Sequence, residues 1–443
     1  IPAYRPLNLL NKMELSTPKG TRDFPPEEGL IRQKILKILR ESFEQFGFNP
    51  LETPSLEGLD ILSSKYAGGA EILKEVFKVT DQGGRELGLR YDLTVPFSRF
   101  IGMNPNLRMP FKRYQLDKVW RDGPIGLGRY REFLQCDVDV VGCADMVADS
   151  EIIAIIDMVF KKFNLASEVK VSNRKFLNGL LDYAEITKDK ESVILTIDKL
   201  SKVGEDGVKA ELNEKGFSNF TVDKLLDVLD VEGENSEILK KFKDIVVSDE
   251  GKEGLDELES LFSYLNSLGI KNVKFEPSLA RGLVFYTGTV FETFLKDSPI
   301  KSAVASGGRF DNIIGNFLDS DKKYPAVGVS FGLDRIYDAL KDVPEFFTKK
   351  TVVDFYVIPI KDTLLDSMKV AQKLRASGLN VDLDIVGKNI KKNLDNANKS
   401  KVPYVIFVGE KELEQKKVKL RDMESGEEEL LSVDDLIKKM KKL

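Results

Sequence analysis

Histidine is missing from all 443 residues of the chain. That absence removes Ser-His-Asp and Cys-His hydrolysis, histidine-liganded zinc chemistry and imidazole proton shuttles together. Catalysis has to come from carboxylates, arginines, lysines, backbone donors, the substrate itself or a hard metal ion. Cysteine is almost missing too. Cys136 and Cys143 lie near one expected strand, make no disulfide framework and are too few for a zinc ribbon. This usage suits a reducing compartment, and a cytoplasmic location is expected. No apolar run is long enough to span a bilayer. The phosphate loops GxxxxGKS and GxxxxGKT are absent, as is a GxGxxG opening a βαβ unit, so the common nucleotide folds are poor candidates. No internal repeat or long low-complexity tract occurs. The opening IPAYRPLNLLNK precedes Met13 and lacks the apolar core of a secretory signal; residues 1–15 read as an extension.

What is present describes a chain of two or three domains. Hydrophobic residues make up 42% and charged residues 31%, which fits a globular protein. The net charge of −5 argues against nonspecific nucleic-acid binding but permits local basic patches. Three lysine runs lie near the C-terminus: KNIKKN at 388–393, KSK at 399–401 and KKVK at 416–419. Taken singly, each reads more simply as a solvated surface.

Residues 25–46 read as a helix, with Pro25, Pro26, Glu27 and Glu28 at its start and Gly47 as its stop. FNPLETPSLE reads as extended, Pro54 marking an edge strand or bulge. EVFKVTDQGGRELGLRYDLTVP reads as a hairpin around DQGG. FKRYQLDKVWRDG and GRYREFLQCDVDVVG pair next, joined by GPIGLG, whose glycines and proline imply a mobile loop. A helix is expected at about 145–165. Residues 170–265 read as a helical insertion between catalytic parts at 16–169 and 266–345. Strand signals resume at VKFEPSLARGLVFYTGTVFETFL and PAVGVSF, and the helix GLDRIYDAL follows. After a linker at DVPEFFTKKT, residues 350–443 alternate strands and helices as a small α/β unit.

Alternation along residues 128–142 puts Leu134, Cys136, Val138 and Val140 on one face, and Arg131, Phe133, Gln135, Asp137 and Asp139 on the other. Arg121, Arg129 and Arg131 would come close across the loop. Such guanidinium forks suit phosphate oxygens, and Phe133 could stack an adenine; a salt-bridged edge hairpin is the competing reading. SGGRFDNIIG and GVSFGLDRIYDAL are glycine-rich turns beside strands, with Arg335 in the first turn of a helix, an end that favours anions. ARGLVFYTGTVFE reads by itself as a core strand with a bulge at Thr287-Gly288.

Together these segments resemble the class II aminoacyl-tRNA synthetases, and within them the histidyl enzymes. TPKGTRDFPPEE is similar to that family's N-terminal signature. FGFNPLETPSLE, VWRDGPIGLGRYREFLQCDVDVVG and GVSFGLDRI resemble the three class II motifs, the first of which builds the dimer interface. LARGLVFYTGTVFE and ASGGRFDNIIG resemble the two histidyl-specific segments. The resemblance implies an α/β chain with an α+β catalytic domain: an antiparallel sheet with flanking helices, the helical insertion, and an anticodon-binding domain at 350–443. It implies ATP and Mg²⁺ as cofactors, L-histidine and tRNA(His) as substrates, and a homodimer. Arg121 and Arg281 would be catalytic, at the α-phosphate. Arg129 would contact phosphate or the tRNA acceptor end, and Phe133 and Arg335 would sandwich the adenine. Asp92, Thr94 and Gln135 would hold the histidine α-amino group, Asp139 and Tyr286 the imidazole, with Gly307 and Gly308 beside them. No metal ligand is assigned beyond the ATP phosphates.

Departures from the family pattern fall in the ring site and at the amino-group carboxylate. Val284 and Phe285 replace an aspartate and a tyrosine, Asp139 replaces a more usual glutamate, and Asp92 replaces the glutamate of many bacterial forms. The rival readings are a catalytically inactive regulatory or sensor relative and a different class II synthetase. The presence of Arg121, Arg281, Arg335 and the region after 350 opposes the first. An enzyme of this family that contains no histidine can be translated without the aminoacyl-tRNA that it makes.

Overall fold

Phe111–Trp120 and Glu132–Val141 are two ten-residue antiparallel strands in register from Phe111 opposite Val141 to Trp120 opposite Glu132. They lie near one edge of a sheet in a computed structural model that describes residues 15–63, 73–126, 128–282, 285–341, 343–346 and 350–441. Residues 1–14 of the expected extension, and Val284, lie outside the described residues. Contacts divide the chain into two compact units, Ile1–Asp23 with Ile35–Leu340, and Phe24–Lys34 with Lys341–Leu443. Among the described helices, none is long and apolar enough to cross a membrane.

The large sheet of the first unit has eight described strands. Its order is Asn49–Pro50, Phe111–Trp120, Glu132–Val141, Ala326–Gly332, Ala305–Arg309, Thr289–Leu295, Ser167–Asn173 and Val273–Phe275. The two end pairings are parallel and the rest antiparallel. The sheet therefore matches the expected α+β architecture. One face is apolar: Cys136, Val138, Val140, Val329 and Phe331 are buried, and Phe331 meets Phe43 and Phe160 at centroid distances of 5.6 and 6.1 Å. Phe160 belongs to the helix Val147–Lys162, which thus covers this face. Burying each such ring contributes about 1.5–3 kcal/mol, enough to fix which way the strands present their side chains. The opposite face carries the polar residues.

Three local expectations change. The stretch after Phe48 is not one strand: Asn49–Pro50 pairs with Arg113 and Tyr114, whereas Leu56–Gly58 joins a separate small sheet with Lys78–Thr80 and Glu86–Leu89. Between them Thr53 gives its carbonyl to the buried Arg90 and hydrogen-bonds Gln115, so side chains replace the ladder. Tyr286 does not lie in a strand; Thr289–Leu295 begins after it. The chain before it is bent by Arg281, at φ +56°, and tied by Thr287 N–H donating to the Arg309 carbonyl. The connection between the two long strands is closed by reciprocal backbone hydrogen bonds between Gly126 and Arg129.

Ser167–Asn173 spans residue 170 and belongs to the sheet; Asn173 caps the helix Arg174–Tyr183 that follows. Further helices run to Asp249–Ser267. Phe176, Phe242 and Phe275 meet there as a trio with centroids 4.8 to 5.9 Å apart. In the second unit, Val381–Leu383, Phe355–Pro359 and Tyr404–Val408 are parallel, as the strand–helix alternation implies. Val418–Asp422 and Glu428–Leu431 add an antiparallel edge that the lysine-rich sequence concealed. Val418 and Leu420 are buried, while Lys417 points to solvent.

Candidate active site

The polar face of the long strands is the floor of a cavity of about 330 Å³. Phe133, Gln135, Asp137 and Asp139 line it from one strand, and Gly328, Ser330 and Gly332 from its neighbour. Asp92, Thr94, Arg121, Arg129, Arg281, Tyr286, Gly307, Gly308 and Arg335 complete the walls. The structure therefore brings every site residue expected from the sequence to one cavity. Arg131 is different. Its guanidinium turns into the loop, pairing with Asp122 at 2.9 Å and donating to the Gly123 carbonyl.

One end of the cavity is cationic. Arg121 donates to the Tyr91 carbonyl at 3.2 Å and lies 4.2 Å from the Tyr91 ring and 5.1 Å from the Phe133 ring. Arg281 pairs with Glu292 at 2.9 Å and lies 5.5 Å from the Tyr286 ring. Arg335 donates to the Ala303 carbonyl from the first turn of the helix Leu333–Leu340. Burial holds Arg335 below the ordinary arginine range; repulsion from Arg121, Arg129 and Arg281 adds to this, and Glu292 opposes it. Four guanidinium groups that repel one another in a partly dry cleft are prepared for a polyanion.

The other end is anionic. Asp92 accepts from the backbone N–H groups of Thr94 and Val95 through one oxygen, capping the helix Thr94–Met103 and fixing its own position. Asp139 pairs with Arg113 at 2.8 Å; both are buried, and Arg113 also donates to the Leu93 carbonyl. Gln135 donates to the Ser330 hydroxyl at 2.8 Å. The glycines leave room for these groups. A Cβ on Gly328 would stand 1.8 Å from Asp139 Oδ1, and one on Gly308 would stand 2.9 Å from the Tyr286 ring. Phe285 packs against Tyr286 with centroids 4.7 Å apart and faces Phe310.

Sequence reading missed Arg113, Glu292 and Asp334 as parts of this site. Arg113 could have been found from its register opposite Asp139, but only after the strands were aligned. Arg22 of the segment TPKGTRD pairs with Asp334 at 2.9 Å and lies 4.4 Å from the Tyr130 ring. The N-terminal segment thus braces both the loop bearing Arg129 and the helix bearing Arg335.

Burial pushes Asp137 up to about 7 and Asp139 up to about 6; Arg113 pulls both back, and the two carboxylates and Asp92 push against one another. Groups raised in the folded state bind protons that the unfolded chain has already released, so stability must fall as pH rises from about 4 through about 7. We expect the thermal midpoint of the ligand-free protein to decline between about pH 5 and pH 8, and the decline to flatten in Asp137→Asn. Scanning calorimetry checks this; equal slopes in the two proteins would contradict the assignment.

A family model described as histidyl-tRNA synthetase matches residues 20–336, and one described as anticodon binding domain matches residues 354–443. The chain is 45% identical to histidine–tRNA ligase 1 of Bacillus cereus over 96% of its own length and 99% of that protein. It is 37% identical to histidine–tRNA ligase of Clostridium tetani over 95% and 97%. The histidyl-tRNA synthetase structure from Nostoc sp. PCC 7120 superposes with a TM-score of 0.84 at 31% identity, covering 97% of this chain and all of that one. The sheet, the order of the segments and the two family matches agree: the chain belongs to the histidyl-tRNA synthetase family of class II aminoacyl-tRNA synthetases.

Proposed function

We propose that this cavity joins L-histidine to ATP and then to tRNA(His), the reaction of a histidine–tRNA ligase. The observation that carries the reading is the separation of charge within one pocket: guanidinium groups at one end, carboxylates at the other. A triphosphate suits the first, an ammonium group with a basic ring the second. Arg121 and Arg281 would grip the α-phosphate as the histidine carboxylate attacks it and pyrophosphate leaves. Phe133 and Arg335 would hold the adenine between them, a cation–π arrangement, and Arg129 would meet the outer phosphates or the acceptor end. Asp92, Thr94 and Gln135 would hold the α-ammonium, and Asp139 and Tyr286 the imidazole beside Gly307 and Gly308. Catalysis is then positioning and charge stabilisation, for which no imidazole of the protein is needed.

Magnesium would enter with ATP. Among the described residues, no group of three ligating side chains could hold an ion alone. Glu292 and Glu75, the acids beside the arginines, are engaged by Arg281 and the Tyr91 hydroxyl. This arrangement fits an ion bound mainly by phosphate oxygens and water. When bound, it would neutralise charge on the leaving pyrophosphate.

The proposal includes catalytic parts at 16–169 and 266–345, a helical insertion at 170–265, an anticodon-binding domain at 350–443, a homodimer built through the segment around Pro54, and a cytoplasmic location. The retained Arg121, Arg281 and Arg335 favour an active enzyme over an inactive regulatory relative. The deciding measurement is histidine-dependent exchange of pyrophosphate into ATP; an absence of exchange, or equal exchange with threonine, proline or glycine, would defeat the reading. Removing residues from 350 onward should lower kcat/KM for tRNA by tenfold or more, a loss of about 1.4 kcal/mol or greater, through lost phosphate and base contacts. Filter binding and aminoacylation at fixed salt would measure it; unchanged tRNA affinity would place the anticodon contacts elsewhere.

A further inference from the structure

Asp137 sits at the centre of the anionic floor, between Gln135 and Asp139, and lines the cavity. It is 3% exposed, and its Oδ1 has no hydrogen-bond partner among the described residues. Its cross-strand neighbours do not neutralise it. Gln115, opposite on one side, is engaged by Thr53 and Asp117. Ser330, opposite on the other, supplies only a hydroxyl. A buried carboxyl oxygen left unpaired costs about 1–3 kcal/mol or more, so an unsatisfied carboxyl in the wall of a ligand cavity calls for a partner.

The charges around it define that partner. Asp137 and Asp139 face Arg113 as their buried cation on this floor, and Arg113 is already paired to Asp139; Asp92 faces Arg121 first and Arg113 second. Tyr286 and, behind it, Arg281 face the group from the opposite wall. Arg281 is committed to Glu292. Asp137 and Asp139 share the one guanidinium of Arg113, which leaves one negative charge at the ring end that the α-ammonium, held at Asp92, does not reach. A proton held on the side chain of the substrate would balance it.

We propose that Asp137 is a further substrate-binding residue that determines specificity, its carboxyl standing beside the imidazole in the cavity wall so that the ring shares a proton with the Asp137–Asp139 pair. The inference rests on the histidine-activating reading above. It makes the pocket a detector of ring basicity as well as ring shape. A ring of the same size that cannot take up a proton leaves the two carboxyls either repelling one another or protonated with no base to receive the hydrogen. The raised proton affinity of the pair, caused first by burial, agrees with this.

The test uses the full-length enzyme with histidine and with triazolylalanine, whose five-membered ring holds no extra proton at neutral pH. In ATP–pyrophosphate exchange the parent should prefer histidine by about 100-fold in kcat/KM, and Asp137→Asn should narrow that preference by about tenfold or more. The same preference in both proteins would overturn the proposal. A second measurement does not depend on the variant folding. Calorimetric titration of the parent with histidine at about pH 8, in two buffers of different ionisation enthalpy, should show uptake of roughly one proton. Binding without uptake would overturn the proposal while leaving the ligase reading intact. Failure of histidine to support exchange at all would overturn both, and is recognised by that.

Discussion

Replacing Arg281 with alanine should lower histidine-dependent pyrophosphate exchange by about 10²–10³-fold, mostly in kcat. Arg281 occupies left-handed backbone space at φ +56°, where a residue with a Cβ carries about 1–2 kcal/mol of strain. Its side chain is 13% exposed and its nearest acid, Glu292, is 26% exposed. A strained backbone that aims one buried guanidinium at a cavity already holding Arg121, Arg129 and Arg335 gathers more positive charge than Glu292 alone answers. It is arranged for something negative that comes and goes. Alanine keeps the same Cβ and therefore the same strain, so a loss of activity reports the guanidinium itself. Because Glu292 keeps contact with water, stability should change by less than about 1 kcal/mol. Exchange kinetics and a thermal melt measure the two quantities separately. Activity within about tenfold of the parent would remove Arg281 from the reacting phosphate.

The second large effect is on stability. Arg113→Leu should destabilise the protein by about 3–5 kcal/mol, the cost of leaving a buried carboxylate without its cation. Arg113 is fully buried, pairs with Asp139 and lies 4.4 Å from the Phe97 ring. Leucine fills much of the volume but supplies no charge. The remaining carboxyls, already raised in proton affinity, should respond by taking up protons. The loss should therefore be smaller at about pH 5, where they can be neutral, than at about pH 8, where ionised forms are demanded. Urea unfolding of parent and variant at the two pH values would show it. A deficit independent of pH would mean that Arg113 acts through packing. Histidine affinity should also fall, since the pair proposed to face the ring would be displaced.

Much of the site was legible because a strand has a period of two. Phe133, Gln135, Asp137 and Asp139 alternate with Leu134, Cys136, Val138 and Val140, and burial of the apolar set forces the polar set into the cavity. The helix Val147–Lys162 and the helix after PAVGVSF were legible for the same kind of reason: apolar spacing with a stop. Arg131 shows the limit. Parity placed it beside Phe133, yet it lies just outside Glu132–Val141, where the chain leaves the ladder and its side chain turns to Asp122. Tyr286 shows another. An apolar run predicted a strand, but a left-handed residue and a side-to-side tie through Thr287 broke it.

Sequence alone determined which chemistries were open. Without histidine and with two cysteines, carboxylates, guanidinium groups and lysines remained in quantity, and the resemblance of six segments to known motifs pointed to the family. Tertiary structure decided how those charges are balanced. Arg113 meets Asp139 across 26 residues of chain and Ser330 meets Asp137 across nearly 200, pairings set by strand register. Whether a carboxyl ends paired or waiting depends on what stands opposite it in the sheet, and no local pattern of residues encodes that.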